Sequence, residues 1–539
     1  MAEPSLLSGA PPRVLVSEPL AERGLEALRA TCEVDVRLEL SSEQLAEIIG
    51  AYDGLVVRSA TQVRGPVLEA AERLRVVGRA GIGVDNIDVA AATARGIVVV
   101  NAPTSNVVSA AEHAIALLLA QARNVPQANE ALKAGRWERS RWGGVELAGK
   151  TLGVLGLGRV GQLVAARARG LDMEVLAFDP FVAPERYAEL GVRRAETVEA
   201  LFAEADVLTL HLPGGPETAN FIDDDAIAAM KDGVRIVNAA RGEIIDTEAL
   251  ARGLESGKVA GAGLDVFPTE PLTDSPLFAF PQVVVTPHLG ASTREAQDRA
   301  GTQVAEQVVA ALTGGAVTSA VNIPSVRPED QEALGPYLPL ARALGRLAWA
   351  LSPSHAQVEA IEVAVEGALA GHDTRLLTLA ALEGALRGAE EGVNLVNARS
   401  IADSRGLTVI ERRRERSVDY TNLVRVRVDG RGAAPAEVAG TAFGRAATGR
   451  LTDALGLPVD IELSAHMVFL LYPDRPGVIG RVGTLLGQAG VNIASIHVSR
   501  ESRDGRTLMA AAVDSPIGDR ALAQLRAMAG IDDVRFVTL

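Results

Sequence analysis

A single cysteine, Cys32, is all the thiol in the 539-residue chain. That scarcity excludes a disulfide framework and a cysteine-built zinc site, and no metal is expected. Basic charge is also short: the formal net charge is −15, which argues against nucleic acid or an anionic membrane as partner. Long apolar runs are missing. The segment at 114–120 is apolar but short, as buried helices are. The opening residues do not pair a basic segment with an apolar one, as a secretory signal would. A soluble cytoplasmic protein is the expectation. What is present, 48% apolar and 22% charged residues, is ordinary for a globular chain. The length is too great for one core, so three or four domains are expected.

One stretch organises the rest. Residues 152–155 read as a buried strand, which runs into Gly156-x-Gly158-x-x-Gly161 and then into a segment of helical composition at 162–169. Gly156 permits the tight turn, Gly158 lets backbone approach a pyrophosphate, and Gly161 lets helix pack closely on strand. The helix N-terminus offers free N–H groups and partial positive charge to phosphates. Eighteen residues past Gly161 the next apolar run ends in Asp179, placed to accept ribose hydroxyls. This combination predicts dinucleotide binding.

Around it, short β-rich and helical segments alternate. Strands are expected at 14–16, 34–38, 55–57, 76–77 and 97–100, with helices between them. A long helix at 105–123, capped by Ser105 or Asn106, presents Val108, Ala111, Ile115, Leu118 and Leu119 as its packing face. A second alternating series runs from Thr151 to Thr286, followed by a helix at 293–312 and a linker at 322–328. Two α/β lobes therefore flank a cleft, with ligand at the carboxyl ends of the strands. Beyond the linker, helices at 332–352 and 376–388 and a strand at 424–428 are readable. The arginine-rich run at 411–416 reads as a solvated face, with an anion site as the lesser alternative. The tail has the order β-α-β-β-α-β of a ferredoxin-like module. Such a module covers one face of its sheet with its own helices, so pairing with another copy is expected.

Three polar residues follow predicted strands in the second lobe: Arg241, Glu270 and His288. A guanidinium can grip a carboxylate with two parallel hydrogen bonds. A histidine can take a hydroxyl proton near neutral pH, and a carboxylate can orient it. Beside a nicotinamide, that set suits oxidation of a 2-hydroxy acid.

The segments Arg79-Ala-Gly-Ile-Gly-Val-Asp-Asn86, Gly156-Leu-Gly-Arg-Val-Gly161, Asn238-Ala-Ala-Arg-Gly-Glu243 and Pro287-His-Leu-Gly-Ala-Ser-Thr293 resemble the D-isomer-specific 2-hydroxyacid dehydrogenases. The whole chain after residue 12 is similar to the long branch of that family, which carries an intervening domain and a C-terminal ACT module. The resemblance implies a substrate lobe at 1–104 and 291–325, and an NAD-binding Rossmann domain at 105–290. It further implies an α+β intervening domain at 330–460 and a ferredoxin-like ACT domain at 466–539. It assigns catalysis to Arg241, Glu270 and His288, with His288 as acid/base. NAD contacts would come from Gly156, Gly158, Arg159, Val160, Gly161, Asp179, Leu212, Ala239, Ala240, Arg241, Asp265, His288 and Gly290. Substrate contacts would come from Arg58, Ser59, the loop amides of Gly81, Ile82 and Gly83, and Arg139, with Arg141 as a further candidate. Tyr472, Asp474 and Asn492 would hold a serine effector between subunits, with Asn492 facing the Asp474 loop across the interface. The implied reaction is NAD-dependent oxidation of 3-phosphoglycerate, the entry to serine synthesis, in a homo-oligomer, as a tetramer. Another D-2-hydroxy acid such as glycerate or 2-hydroxyglutarate, or a corepressor-like NAD sensor, are the rival readings.

Overall fold

The computed structural model describes residues 10–539 apart from 316, 325, 354, 445–446 and 502–504; residue 325 of the expected linker lies outside the described residues. Four sheets follow one another along the chain. The first is parallel, with β1 (Arg13–Val16), β2 (Glu33–Val36), β3 (Gly54–Val57), β4 (Val76–Arg79) and β5 (Val98–Asn101) in the order β2-β1-β3-β4-β5. Alternation divides its faces. Leu15, Leu55 and Val77 pack with Leu45 and Ile49 on one side. Val14, Val56 and Val76 pack with Leu28, Val304 and Val308 on the other. Val304 and Val308 belong to the helix Arg294–Thr313, which returns from the second lobe to close the first. Gly78 permits its approach, since a Cβ there would lie 2.6 Å from a Val308 methyl.

The second sheet is also parallel. It contains β6 (Thr151–Leu155), β7 (Glu174–Phe178), β8 (Arg193–Arg194), β9 (Val207–Leu210), β10 (Val234–Asn238), β11 (Val259–Leu264) and β12 (Val283–Val285). Its order, β12-β11-β10-β9-β6-β7-β8, reverses direction beside β6, where a crevice opens at the strands' carboxyl ends. The two crossings between lobes bond to each other. Ser109 Oγ lies 2.8 Å from Thr293 Oγ1, and Arg299 Nε donates to the Ser105 carbonyl at 2.8 Å.

The long helix differs from expectation in two respects. It spans Val107–Ala122, and although Asn106 is the N-cap residue, no side chain caps it. Its buried side is Ala110, Ala111, Ala114, Leu117, Leu118 and Gln121, because Leu117 sits against Gly263 of β11. Val108 and Leu119, expected in the packing face, are exposed.

The third sheet, ordered β14-β13-β15-β16-β17-β18, comprises β13 (Val358–Gly367), β14 (Thr408–Arg414), β15 (Asn422–Gly430), β16 (Ala436–Phe443), β17 (Thr448–Ala454) and β18 (Leu457–Glu462). The helices Leu338–Leu351 and Arg375–Leu386 cross tightly above it; a Cβ on Gly345 would strike the Ala381 carbonyl, and one on Gly384 the Arg342 carbonyl. The arginine-rich run is exposed throughout, as the solvated-face reading expects. It is the edge strand β14, with Arg412 paired to Glu362 at 2.8 Å and Arg414 to Glu366 at 3.2 Å.

The tail forms the expected module, ordered β20-β21-β19-β22, from β19 (His466–Pro473), β20 (Ile493–Arg500), β21 (Arg506–Val513) and β22 (Asp533–Thr538). Val468, Leu470 and Met509 pack under its own helices with Val482 and Leu525. The other face is not left for a second copy. Met467, Phe469, Leu508 and Ala510 share one core with Leu344, Leu347 and Ile461 of the preceding region, so the same chain covers both faces.

Candidate active site

Each glycine of the phosphate-type turn has a visible reason. Gly156 sits at φ +92°, and a Cβ there would lie 2.7 Å from the His211 carbonyl oxygen. Gly161 would drive a Cβ into the Gly156 carbonyl, so only glycine lets the helix Arg159–Arg169 sit on β6. A Cβ on Gly158 would meet nothing, because that side of the turn is open. The N–H groups of the helix's first turn have no intrahelical acceptor and face this opening. The cradle fits the pyrophosphate of a dinucleotide. Leu212 lies against the turn, its methyl 3.2 Å from the same Gly156 position, and Ala239 and Ala240 follow β10 half-buried. Arg159 donates to the Pro103 carbonyl in the crossing segment.

At the tip of β7, Asp179 accepts from Leu157 N and Phe181 N, both at 2.9 Å. One acceptor direction on each oxygen is engaged, and the others remain for ribose hydroxyls. Asp265, expected among the cofactor contacts, is held by the loop after β12 and by His113. Its oxygens accept from Thr286 Oγ1 at 2.6 Å, Leu289 N at 2.7 Å and Gly290 N at 2.8 Å, and His113 Nε2 lies 3.1 Å away. Three of these contacts fall on Oδ1 and only Gly290 N is on Oδ2, which keeps one acceptor direction open. The bonds to Leu289 and Gly290 fix the loop that carries His288. Burial pushes this carboxyl up, but the bonds from His113, Thr286 and Leu289 outweigh it and hold it below the usual range. His113 escaped sequence reasoning; it lies on a helix far from Asp265 in sequence and has no local signal.

His288, at φ +56°, is turned outward by this loop, its N–H bonded to the Asp265 and Thr286 carbonyls. Its Nδ1 lies 2.6 Å from Glu270 Oε2, while Glu270 Oε1 accepts from Phe267 N at 3.0 Å. The carboxylate therefore selects the tautomer with the proton on Nδ1 and leaves Nε2 free to accept a proton. Gly242, next to Arg241, is packed so closely on Phe267 that a Cβ would fall on its carbonyl. The loops after β10, β11 and β12 therefore form one block bearing Arg241, Glu270 and His288.

Arg241 faces the other lobe. Its Nη2 lies 3.7 Å from Asp85, and a Cβ on Gly83 would approach the same Nη2 to 2.5 Å. Gly81 is glycine because the guanidinium of Arg79 crosses above it. The Gly81 amide, expected to bind ligand, donates instead to the Arg79 carbonyl at 2.8 Å. The amides of Ile82 and Gly83 have no partner among the described residues, and they form the open part of the nest. Arg79 was not singled out from sequence. Its guanidinium is buried, and burial together with Arg241 and Arg58 depresses it below the usual arginine value despite Asp85 and Glu18. Arg58 and Arg79 thus line the first lobe's side of the cleft, opposite Arg241 of the second.

Arg58 and Ser59 follow β3 at that edge. Glu18 makes no ion pair with the Arg58 guanidinium among the described residues; its carboxylate accepts from the backbone N–H groups of Arg58, Ala60 and Thr61. Arg139 is not brought to this site. It lies exposed beside Trp137, and Arg141 pairs with Glu138 at 3.6 Å and stacks 4.8 Å above the Trp142 ring. The three effector candidates do not meet either. Tyr472 is buried, Asp474 pairs with Arg500 at 3.2 Å, and Asn492 donates to Asp514 at 2.6 Å. Asp474 follows β19 beside the start of β21, whereas Asn492 precedes β20 beside its end, so the two lie at opposite ends of the sheet.

Residues 115–290 match the family described as "D-isomer specific 2-hydroxyacid dehydrogenase, NAD binding domain", residues 333–453 the "D-3-phosphoglycerate dehydrogenase intervening domain", and residues 466–530 the "ACT domain". The chain is 42% identical to the D-3-phosphoglycerate dehydrogenase of Synechocystis sp., over 98% of this chain and 95% of that relative. It is 45% identical to the protein of the same name from Mycobacterium tuberculosis, over 94% of this chain and 98% of that one. Among solved structures, a glyoxylate reductase from Paecilomyes thermophila is 32% identical with a TM-score of 0.53, covering 58% of this chain and 98% of its own.

Proposed function

The chain belongs to the D-3-phosphoglycerate dehydrogenase family, within the D-isomer-specific 2-hydroxyacid dehydrogenases, and from that premise we propose that it oxidises the C2 hydroxyl of 3-phospho-D-glycerate to give 3-phosphohydroxypyruvate, the first step of L-serine synthesis. The observation that carries this reading is the meeting of the His288–Glu270 pair, at 2.6 Å, with Arg241 against the Gly83 loop. Arg241 and the amides of Ile82 and Gly83 hold the substrate carboxylate. His288 Nε2 takes the proton from the C2 hydroxyl, and Glu270 keeps the ring in the tautomer that can do so. The Gly156–Gly161 cradle would hold NAD, which would supply the acceptor for the hydride of C2. Arg58 and Arg79 attract the phosphate and favour this substrate over an unphosphorylated hydroxy acid.

The ACT region supports serine feedback. Because Asp474 and Asn492 lie at opposite ends of one sheet, a serine site using both takes them from two paired copies. A homo-oligomer, a tetramer in this reading, is also supported by exposed Trp137, Val125 and Leu132 on the second lobe. No helix among the described residues is long and apolar enough to cross a membrane, in keeping with a cytoplasmic enzyme. The test is NAD reduction by the purified protein on a panel of D-2-hydroxy acids. Turnover of 3-phospho-D-glycerate above all others is expected, and turnover only of unphosphorylated acids would refute the proposal.

A further inference from the structure

A cavity of about 180 Å³ opens at the carboxyl edge of the first sheet, lined by Pro19, Leu20, Arg58, Ala80, Arg294 and Gln297, with Asp298 at its side. It abuts the substrate nest, since Ala80 immediately precedes Gly81. Arg58 enters from the loop after β3, and Arg294 from the first turn of the helix Arg294–Thr313. Neither arginine has a carboxylate ion-pair partner among the described residues. Glu18, the acid nearest Arg58, is held by three backbone N–H groups. Asp298 is the one carboxylate lining the cavity, so two cations face one anion there.

The helix adds to this charge. Thr293 Oγ1 caps it by accepting from Ala296 N at 3.1 Å, which leaves other first-turn N–H groups unpaired and the positive end of the helix dipole at the cavity. The Gln297 amide can donate as well. Arg79 is close enough to feel the charges of both Arg241 and Arg58, with Asp85 and Glu18 opposing them, so arginines extend from the carboxylate nest to this cavity. A substrate held at one end by Arg241 has its phosphate one carbon beyond the reacting C2, on the side where Ala80 and Arg58 lie.

We propose that Arg294 is a specificity-determining residue that binds the substrate phosphate together with Arg58 in this cavity. The inference rests on the phosphorylated substrate proposed above and adds a residue on the returning helix that no substrate assignment from the sequence included. Binding there couples the phosphate to the segment joining the lobes, because the same helix begins one residue after Thr293, which contacts Ser109.

The experiment compares Arg294→Ala and Arg294→Lys with the unaltered full chain, using NADH with 3-phosphohydroxypyruvate or with hydroxypyruvate. For Arg294→Ala, KM for the phosphorylated keto acid should rise about tenfold or more with kcat changed less than about threefold. The ratio of kcat/KM between the two keto acids should fall about tenfold, and Arg294→Lys should recover part of it, because lysine keeps the charge but not the two-pronged hydrogen bonding. Inorganic phosphate should also lose potency as a competitive inhibitor in Arg294→Ala. An unchanged ratio, or equal losses on both keto acids, would overturn the role of Arg294 while leaving the phosphorylated substrate in place. If the unaltered enzyme shows no preference for the phosphorylated keto acid, the parent reading fails instead.

Discussion

Replacing Asp179 with alanine should cost NAD affinity and narrow the preference over NADP. Each oxygen of Asp179 already accepts one backbone N–H, from Leu157 and from Phe181, both at 2.9 Å. A carboxylate offers about four acceptor directions, so about two remain for the ribose hydroxyls. Hydrogen bonds to a charged group contribute about 1.5–3 kcal/mol each. Since Asp179 is part exposed, the lower end applies, and losing one or both bonds should weaken NAD binding by about 1.5–3 kcal/mol, on the order of 10- to 150-fold. NADP suffers in the unaltered protein because its 2′-phosphate meets this carboxylate. Pro180 and Phe181 bring no cation, and Arg186 is engaged by Glu189 and Gln162. We therefore expect NAD to be preferred by about tenfold or more in kcat/KM. In Asp179→Ala that preference should shrink toward parity. Calorimetric titration of both cofactors, beside steady-state kinetics, reads the effect without depending on turnover alone. Equal affinity for NAD and NADP in the unaltered protein, or an NAD affinity unchanged within twofold in Asp179→Ala, would refute the reasoning.

His288→Ala should lower kcat by about 10²–10⁴ while NAD affinity, measured by titration, stays nearly constant. Near-normal turnover would mean that the proton leaves by another group. His211, beneath the Gly156 turn, has its imidazole lowered to about 4 by burial. Its folded value lies below the unfolded one, so the unfolded chain takes up a proton first as pH falls. Stability is then lost between about pH 6.5 and about pH 4, by at most about 3 kcal/mol. Urea denaturation across that window should show a shallower loss for His211→Gln, and an identical slope would rule the account out. L-Serine should bind the intact protein at millimolar concentration or below in calorimetry, and Asp474→Ala or Asn492→Ala should weaken it about tenfold or more; absence of binding would remove the feedback proposal. Truncation after residue 460 is a poor test of that proposal, because it strips Met467, Phe469 and Leu508 from the core containing Leu344 and Leu347.

The parts legible in the sequence are those whose cause is local. Gly156 and Gly161 are required by the turn and by the helix that follows within six residues, so spacing alone carried them. His288 and Glu270 could be assigned because each follows a strand with a clear apolar pattern. Arg79 was hidden for the opposite reason: it is the last residue of β4, and its course over Gly81 is a tertiary fact. His113 reaches Asp265 from a helix in which it looks like an ordinary surface residue. The strands β16 and β17 contain Ala, Gly and Thr in place of a clean apolar alternation. They exist because the helix Leu338–Leu351 packs on them, with Leu340 lying 3.0 Å from where a Gly440 Cβ would be. Whether Arg139 joins a substrate site depends on its neighbours in an assembly, which a single sequence does not contain.

The central claim is that this cleft removes a hydride from C2 of a phosphorylated hydroxy acid. It is tested most directly with 3-phospho-D-glycerate deuterated at C2, incubated with NAD and the purified protein, and with mass analysis of the cofactor. The account predicts one deuterium in each reduced nicotinamide formed, and none in the His288→Ala protein on the same timescale. Reduced cofactor without deuterium, or no reduction at all under conditions where an unphosphorylated hydroxy acid reacts, would contradict it.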